Sequence, residues 1–231
     1  MSQPSQTLSH ATRVSSGEGT FSPPKITAAL ALAGIAGPLL AGALLLIAQS
    51  LHPGYNPIED SISRLSFGPF GWVQTLNYCQ LALSIVAFGA AVRLGLARTR
   101  RGRISGFLFM AMGLDILVVS LFHVDANPYA PKSVFDIIHQ LAATLSGVLF
   151  PAAALFLAMD LWSDPKWLPE AKIALAAALI VLIMQIGETS QFFATQYFAP
   201  VFGLYERLLA SIGLAWIVFM SIILLRAARR T

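Results

Sequence analysis

The sequence predicts an all-α, polytopic membrane protein: a bundle of six transmembrane helices with a short interfacial helix in the first outer loop. Of its 231 residues, 56% are hydrophobic and 11% are charged, whereas a soluble domain carries about 25% charged residues. Six apolar segments are each long enough to cross the hydrocarbon core, which takes about 20 helical residues. The basic residues lie mainly beside these segments, so membrane topology explains the positive charge and no nucleic-acid partner is expected.

Two regions follow from this pattern. Residues 1–24 are rich in Ser, Thr, Gln, Gly and Pro and are predicted to form a disordered cytoplasmic tail. Residues 25–228 are predicted to form the six-helix transmembrane domain. Its spans are placed at 26–51, 72–97, 104–123, 134–161, 171–189 and 204–226. The single cysteine, Cys79, excludes an internal disulfide and a cysteine metal site.

Lys and Arg residues give the orientation of the bundle. All of the 15 except Arg64, Lys132 and Arg207 fall on one side of the predicted membrane. The positive-inside rule places that side, with both termini, in the cytoplasm of a cell-membrane protein. Acids and histidines show the reverse distribution. Those predicted at the outer side are Glu59, Asp60, Asp115, Asp125, Asp136, Glu188, Glu206, His52, His123 and His139. The sequence therefore predicts a polar site that faces outward.

The longest polar interruption is the stretch 52–72, HPGYNPIEDSISRLSFGPFGW. It is predicted to contain the interfacial helix, with Asn56 as N-cap and Pro57 as its first residue. An apolar face follows at helical spacing, formed by Ile58, Ile62 and Leu65. Asp60 and Arg64 are spaced as an i, i+4 ion pair. The stretch thus presents acids and hydroxyls at a fixed angle beside the membrane.

Several polar residues lie inside or at the ends of the spans. Asp115 lies within the third span, about 12 Å below His123 by helical rise. An acid at that depth indicates a functional site, and the alternative is an interhelical hydrogen bond. Asp136 and His139, at i, i+3, share a helix face. Such a pair can bind a metal, or the carboxylate can orient the imidazole as a general base. The alternative is an acid that matches the helix dipole beside an interfacial histidine.

These residues support two kinds of site. His52, His123 and His139 are candidate ligands of a zinc ion with one open position. Asp60, Ser63 and Asp115 are the candidate catalytic residues, and Ser61 or Ser63 beside a histidine offers a nucleophile as an alternative. Further polar site residues are Glu188, Glu206 and Arg207.

The run HPGYNPIEDSISRLSFGPFGWVQTLNY resembles the DUF998 family of six-span membrane proteins of unknown function. The residues that carry the resemblance are Asp60, Ile62, Ser63, Leu65, Gly68, Phe70, Gly71 and Trp72. F-H-V-D at 122–125, the histidine at 139 and G-L-Y-E-R-L at 203–208 are similar to the third, fourth and sixth helices of that family. The resemblance covers roughly residues 26–226 and implies the fold and topology, but no reaction.

Three functions stay open on these grounds. The first is a metal-assisted hydrolase of a lipid or amphipathic substrate. The second is a non-enzymatic transporter, lipid-binding protein or sensor that uses its intramembrane acids. The third is a structural accessory subunit in which the polar residues only join the helix ends. The expected partners are membrane lipids and a small amphipathic ligand, and the sequence does not decide whether the protein is an enzyme.

Overall fold

The computed structural model describes residues 24–125, 132–195 and 200–229. Within them, six long α-helices follow one another: α1 (Pro24–Leu51), α2 (Gly71–Gly95), α3 (Arg100–Leu121), α4 (Val134–Leu161), α5 (Leu168–Thr195) and α6 (Phe202–Ala228). Each is long and apolar enough to cross a membrane. The predicted all-α, six-span fold class is confirmed. The tail predicted at 1–24 lies outside the described residues except for Pro24, the first residue of α1.

The bundle is built mainly from neighbours in sequence: α1 packs on α2, α2 on α3, α3 on α4 and α4 on α5, while α6 returns to pack on α1. Small residues bring α2 and α3 together. A Cβ on Gly89 would lie 2.6 Å from the Gly106 carbonyl oxygen, and one on Gly106 would lie 2.7 Å from the Gly89 carbonyl oxygen. Glycines at these positions let the two helix backbones approach closely. Close packing of this kind favours helix association in lipid, where the hydrophobic effect does not drive helices together.

Four aromatic side chains, contributed by α2, α3, α4 and α6, fill the centre of the bundle. They are Phe88, Phe109, Phe150 and Trp216. The Phe109 and Trp216 rings stack with centroids 5.7 Å apart, and the Phe88 and Phe109 rings meet edge to face at 4.9 Å. Aromatic pairs of this kind contribute about 0.5–1.5 kcal/mol each. These ring contacts join four of the six helices in the middle of the bundle.

The loop between α1 and α2 departs from the prediction. Its helix is a 3-10 helix at Ile62–Ser66, which begins after the predicted N-cap, Asn56. The Asn56 side chain accepts only from the Ile58 N–H in a tight turn (3.0 Å), and Ile58 is 49% exposed. The predicted ion pair between Asp60 and Arg64 is confirmed at 2.7 Å.

One buried acid organises the opposite end of the bundle. Asp160, near the end of α4, accepts hydrogen bonds from the backbone N–H of Arg98 (3.2 Å) and of Thr99 (2.9 Å), and from the Thr99 hydroxyl. Thr99 is the N-cap of α3 and accepts from the Arg101 N–H. The carboxylate therefore joins the start of α3 to the end of α4.

Candidate functional site

The α1–α2 loop rests on the first turn of α6. Gly203 makes this contact possible, because a Cβ there would overlap the carbonyl oxygen of Asp60 and lie 2.8 Å from that of Pro57. The Leu204 N–H then donates to the Ile58 carbonyl oxygen at 2.9 Å. The backbone of the loop thus contacts the backbone of α6 directly, and this contact fixes the position of the loop on the bundle.

Arg207 fastens the same loop from α6. Its guanidinium donates to the carbonyl oxygens of Asp60 (3.1 Å) and Gly203 (2.7 Å), and to the Tyr55 hydroxyl. The Tyr55 hydroxyl in turn donates to the Ser61 carbonyl oxygen at 2.9 Å. Burial raises the pKa of Tyr55 to about 12, although Arg207 opposes the shift. Tyr55 is therefore a neutral donor at physiological pH, and Arg207 serves to position the loop.

Asp60, a predicted catalytic residue, is used within the loop. One carboxylate oxygen accepts from the Asn56 N–H at 2.7 Å, and the other pairs with Arg64. Asp60 is not among the residues that line the cavity described below. Its contacts are those of a residue that shapes the turn leading to the 3-10 helix.

Ser63 and His139 form a hydrogen-bonded pair between the loop and α4. His139 Nδ1 lies 2.6 Å from the Phe122 carbonyl oxygen and 3.2 Å from that of Val119. Because carbonyl oxygens only accept, we assign the proton of the neutral ring to Nδ1. Nε2 then carries the lone pair, and it lies 3.0 Å from Ser63 Oγ. The Ser63 hydroxyl donates to the histidine.

An internal cavity of about 220 Å³ opens beside this pair. Most of its wall is apolar, with side chains from α2 to α6. The polar lining residues are Ser63, Tyr78, Ser146, Gln185, Glu188 and Glu206. Phe150, from the aromatic layer, contributes to the lining as well. The cavity is thus an apolar chamber with polar groups contributed by five separate segments.

Tyr78 and Glu206 lie close to the serine. The Tyr78 hydroxyl is 3.4 Å from Ser63 Oγ. A Glu206 carboxylate oxygen accepts from the backbone N–H of Ile62 at 2.6 Å. Ser63 is therefore held from both sides, by α2 through its neighbouring hydroxyl and by α6 through the backbone of the preceding residue.

The remaining acids have defined partners. Glu188 accepts from the Gln185 side chain at 3.1 Å, and both residues line the cavity. Asp115, predicted to be catalytic, accepts from the Ser146 hydroxyl at 2.5 Å. Ser146 lines the cavity, but Asp115 does not, so Asp115 contacts the chamber wall only through this serine.

The three histidines predicted to bind zinc occupy different surroundings. His52 packs beside the Tyr55 ring, with centroids 5.6 Å apart, and His123 lies partly buried beyond the end of α3. His139 is 2% exposed and is bound to Ser63 and to backbone carbonyls. The described residues contain no group of three or more His, Cys, Asp or Glu side chains placed to hold a metal ion, so these histidines do not form the predicted three-ligand site.

Asp136 does not orient His139, contrary to one of the two roles that their spacing suggested. Its carboxylate pairs with Lys132 at 2.7 Å and accepts from the Gln140 side chain at 3.3 Å. Asp136 is also held by the helix start, because the N-cap Ser133 accepts from its N–H. The carbonyl of Phe122 takes the orienting position instead.

Gln185 was not among the predicted site residues, and neither were two cavity residues that carry a hydroxyl group, Tyr78 and Ser146. Each is a single hydroxyl within an apolar span, and such residues are common in membrane helices, where they bond to neighbouring helices. Tyr78 is four residues from the buried Gln74 and one from the buried Asn77. This concentration of polar side chains in one apolar span was the available signal.

The six spans define a polytopic integral membrane protein that has a cavity among its helices. The chain belongs to the family described as "Protein of unknown function (DUF998)", which matches residues 35–223. Neither a curated protein nor a solved structure matches the chain.

Proposed function

We propose that the protein is a membrane-embedded acyl hydrolase that takes part of an amphipathic substrate into the cavity, with Ser63 as nucleophile and His139 as general base. The observation that carries the proposal is the position of the His139 ring, which lies between the Phe122 carbonyl oxygen and the Ser63 hydroxyl. Its Nδ1–H is committed to the Phe122 carbonyl, which leaves the basic Nε2 directed at the Ser63 hydroxyl. A nucleophile bonded to a base that a third group orients is the arrangement on which hydroxyl-based acyl transfer depends.

The reaction would run in two balanced halves. Ser63 Oγ attacks the carbonyl carbon of an ester or amide while its proton passes to His139 Nε2. His139 then returns that proton to the leaving alcohol or amine as the acyl–oxygen or acyl–nitrogen bond breaks. Water then attacks the acyl-serine while its proton passes to the same nitrogen. His139 returns that proton to Ser63 Oγ as the acyl–Oγ bond breaks and the carboxylic acid leaves. The Phe122 carbonyl stabilises the imidazolium through the Nδ1–H in both halves.

Tyr78 is the candidate donor to the developing oxyanion. Its hydroxyl lies 3.4 Å from Ser63 Oγ and lines the same chamber. A donor placed in a water-poor site stabilises a tetrahedral intermediate more than it would in water. Removing one such donor costs about 10²–10³ in kcat, so we expect Tyr78→Phe to lose activity on that scale while still binding substrate.

The size of the chamber limits the substrate. Its volume of about 220 Å³ is below the roughly 300–1,000 Å³ typical of whole small-molecule sites. An apolar wall of this size suits one acyl segment and its carbonyl, while the rest of an amphiphile stays in the lipid. We therefore expect a single-chain or short-chain ester or amide rather than a complete diacyl lipid inside the cavity.

An active-site-directed fluorophosphonate tests the proposal in native membranes. Wild-type protein should become labelled, and Ser63→Ala should not. Ser61→Ala is the matched control, because Ser61 lies two residues away and its side chain makes no capping bond. His139→Asn retains an amide donor near the Nδ1 position but removes the base, so labelling should slow by about 10²–10⁴. Unlabelled wild-type protein, or equal labelling of Ser63→Ala, would refute the assignment.

A second candidate function is ligand binding or transport without turnover. Glu188 and Glu206 both line the chamber, whereas no Lys, Arg or His within the described ranges does so. Acids in a low-dielectric site need protons or a cation to compensate their charge, so a cationic amphiphile or a proton is the matching ligand. This function predicts binding or flux that Glu206→Gln abolishes and Ser63→Ala leaves intact. Product formation that stops in Ser63→Ala would exclude it.

A further inference from the structure

A second cavity lies at the opposite end of the bundle, among α3, α4 and α5. Its volume is about 390 Å³. Leu155, Met159 and Leu175 contribute its apolar wall, and Arg101, Trp162 and Ser163 its polar rim. This cavity shares no lining residue with the chamber beside Ser63. It is a separate amphipathic pocket.

The pocket follows the last turns of α4 from the apolar interior to the membrane boundary. Leu155 precedes Trp162 by seven residues, which is about 10 Å of helical rise. Trp162 is 49% exposed, and tryptophan is typical of the level at which hydrocarbon meets head groups. The wall of the pocket is therefore at the depth of acyl chains, and its rim is at the depth of phosphates.

Arg101 supplies the charge at the rim. It is exposed and lies in the first turn of α3, at the positive end of the helix dipole. Among the described residues, the ion pair at this end joins Arg98 with Asp164, while Arg93 covers the Phe107 ring. Arg101 takes part in no ion pair within the described part of the chain. Its guanidinium is therefore available to an anion from the bilayer.

We propose that this pocket binds an anionic phospholipid, with the phosphate on Arg101 and the Ser163 hydroxyl and an acyl chain along Leu155 and Met159. Basic pockets between transmembrane helices recognise lipid head groups in this way, and guanidinium groups match phosphate geometry. A free phosphate ion would use the rim but gain nothing from the apolar wall, so the pairing of rim and wall favours a lipid. The bound lipid would join α3, α4 and α5 at this end.

Native mass spectrometry of the full-length protein tests the site. Wild type, Arg101→Gln and Arg103→Gln are each purified in detergent and titrated with phosphatidylglycerol or with phosphatidylcholine. Arg103 is the matched control, because it is an exposed arginine of the same helix start that does not line the pocket. We expect one phosphatidylglycerol to be retained by wild type and Arg103→Gln, with roughly fivefold weaker retention by Arg101→Gln. A Leu155→Gln variant should weaken lipid retention through the wall, without loss of charge.

Three results would overturn the proposal. Equal lipid retention by Arg101→Gln and Arg103→Gln would show that general positive charge, and not the pocket, holds the lipid. Equal retention of phosphatidylcholine and phosphatidylglycerol by wild type would remove the selectivity for an anion. Displacement of the lipid by millimolar inorganic phosphate would identify a simple anion site.

Discussion

Replacing Gly203 by alanine should lift the α1–α2 loop off the bundle. The new Cβ would overlap the Asp60 carbonyl oxygen and lie 2.8 Å from that of Pro57, and both obstacles are backbone atoms that no rotamer change can remove. Overpacking of this kind costs about 1–3 kcal/mol. The shift also weakens the bond from the Leu204 N–H to the Ile58 carbonyl, worth about 0.5–1.5 kcal/mol. We therefore expect a loss of about 2–4 kcal/mol in the free energy of unfolding.

Two assays measure this effect. For a chain of this length, each kcal/mol of lost stability lowers Tm by about 2–4 °C. The Tm measured in detergent should therefore fall by at least about 4 °C. Trypsin reports the loop itself, because Arg64, whose side chain is 54% exposed, provides a cleavage site beside the 3-10 helix. Cleavage after Arg64 should accelerate in the variant as the loop loses its support.

Gly42→Ala is the control for this prediction. A Cβ at Gly42 would meet no atom within 4 Å, and alanine is favoured over glycine in a helix by up to about 1 kcal/mol. Its Tm should equal or exceed that of wild type, with unchanged cleavage after Arg64. Equal Tm values and cleavage rates for Gly203→Ala and Gly42→Ala would show that the contact at Gly203 does not hold the loop.

Three further predictions concern other parts of the molecule. Asp160→Asn should destabilise the protein by about 1.5–3 kcal/mol, the range for hydrogen bonds to a charged group. Equilibrium unfolding in denaturant measures this loss. An unchanged unfolding midpoint would contradict the role of Asp160 in joining α3 to α4. The Ser133 hydroxyl and N–H, which bond to Asp125, lower the pKa of Asp125. The resulting stability should be present above the unfolded pKa of about 3.9 and be lost as pH falls through the lower folded value. The Tm advantage of wild type over Asp125→Asn should therefore shrink as the pH falls below about 3.9, and an advantage that stays constant over this range would be inconsistent with the linkage. Tyr205→Phe removes a 2.7 Å hydrogen bond from α6 to a carbonyl oxygen of α5. If the fluorophosphonate enters the chamber between these helices, the weaker contact should speed the labelling, and a slower or equal rate would argue against this route.

The sequence predicted the bundle because hydropathy is a strong constraint inside a membrane. Backbone groups in lipid must be satisfied within a helix, so six apolar runs gave six helices. The ends were less accurate: the fifth span, predicted at 171–189, is the helix Leu168–Thr195. Two of the acids named as candidate site residues, Glu188 and Glu206, line one cavity together. Which side of the membrane this end faces stays a prediction of the positive-inside rule.

The loop could not be predicted from local signals. Asn56 and Pro57 are typical of a helix start, yet the observed helix begins at Ile62. The competing contact is tertiary: the carbonyls of Pro57 and Asp60 rest on Gly203, more than 140 positions away in sequence. A local preference of about 1 kcal/mol is smaller than the sum of these distant contacts.

The hydrogen bond between Ser63 and His139 could not be predicted from the sequence either. The sequence offered Ser61 and Ser63 without a reason to choose between them, and spacing suggested Asp136 as the partner of His139. Lys132, at i−4 from Asp136, takes that carboxylate, which leaves the backbone of Phe122 to orient the ring. The serine is selected only when the loop is docked, because the 3-10 helix buries Ser63 against His139.

The packing between α5 and α6 indicates how a ligand from the membrane would reach Ser63 and His139. Contacts are extensive from α1 through α5 and between α6 and α1, but α5 and α6 contact each other more sparsely. The chamber is lined on both sides of that seam, by Val181 and Gln185 of α5 and by Ala210 and Gly213 of α6. Small residues on α6 leave little side-chain bulk to fill it. Under the proposed function, an amphiphile would enter sideways through this seam and keep its remaining chain in the bilayer. Such a route would suit an acyl substrate, whereas a binding protein for a soluble cation would need an opening toward water.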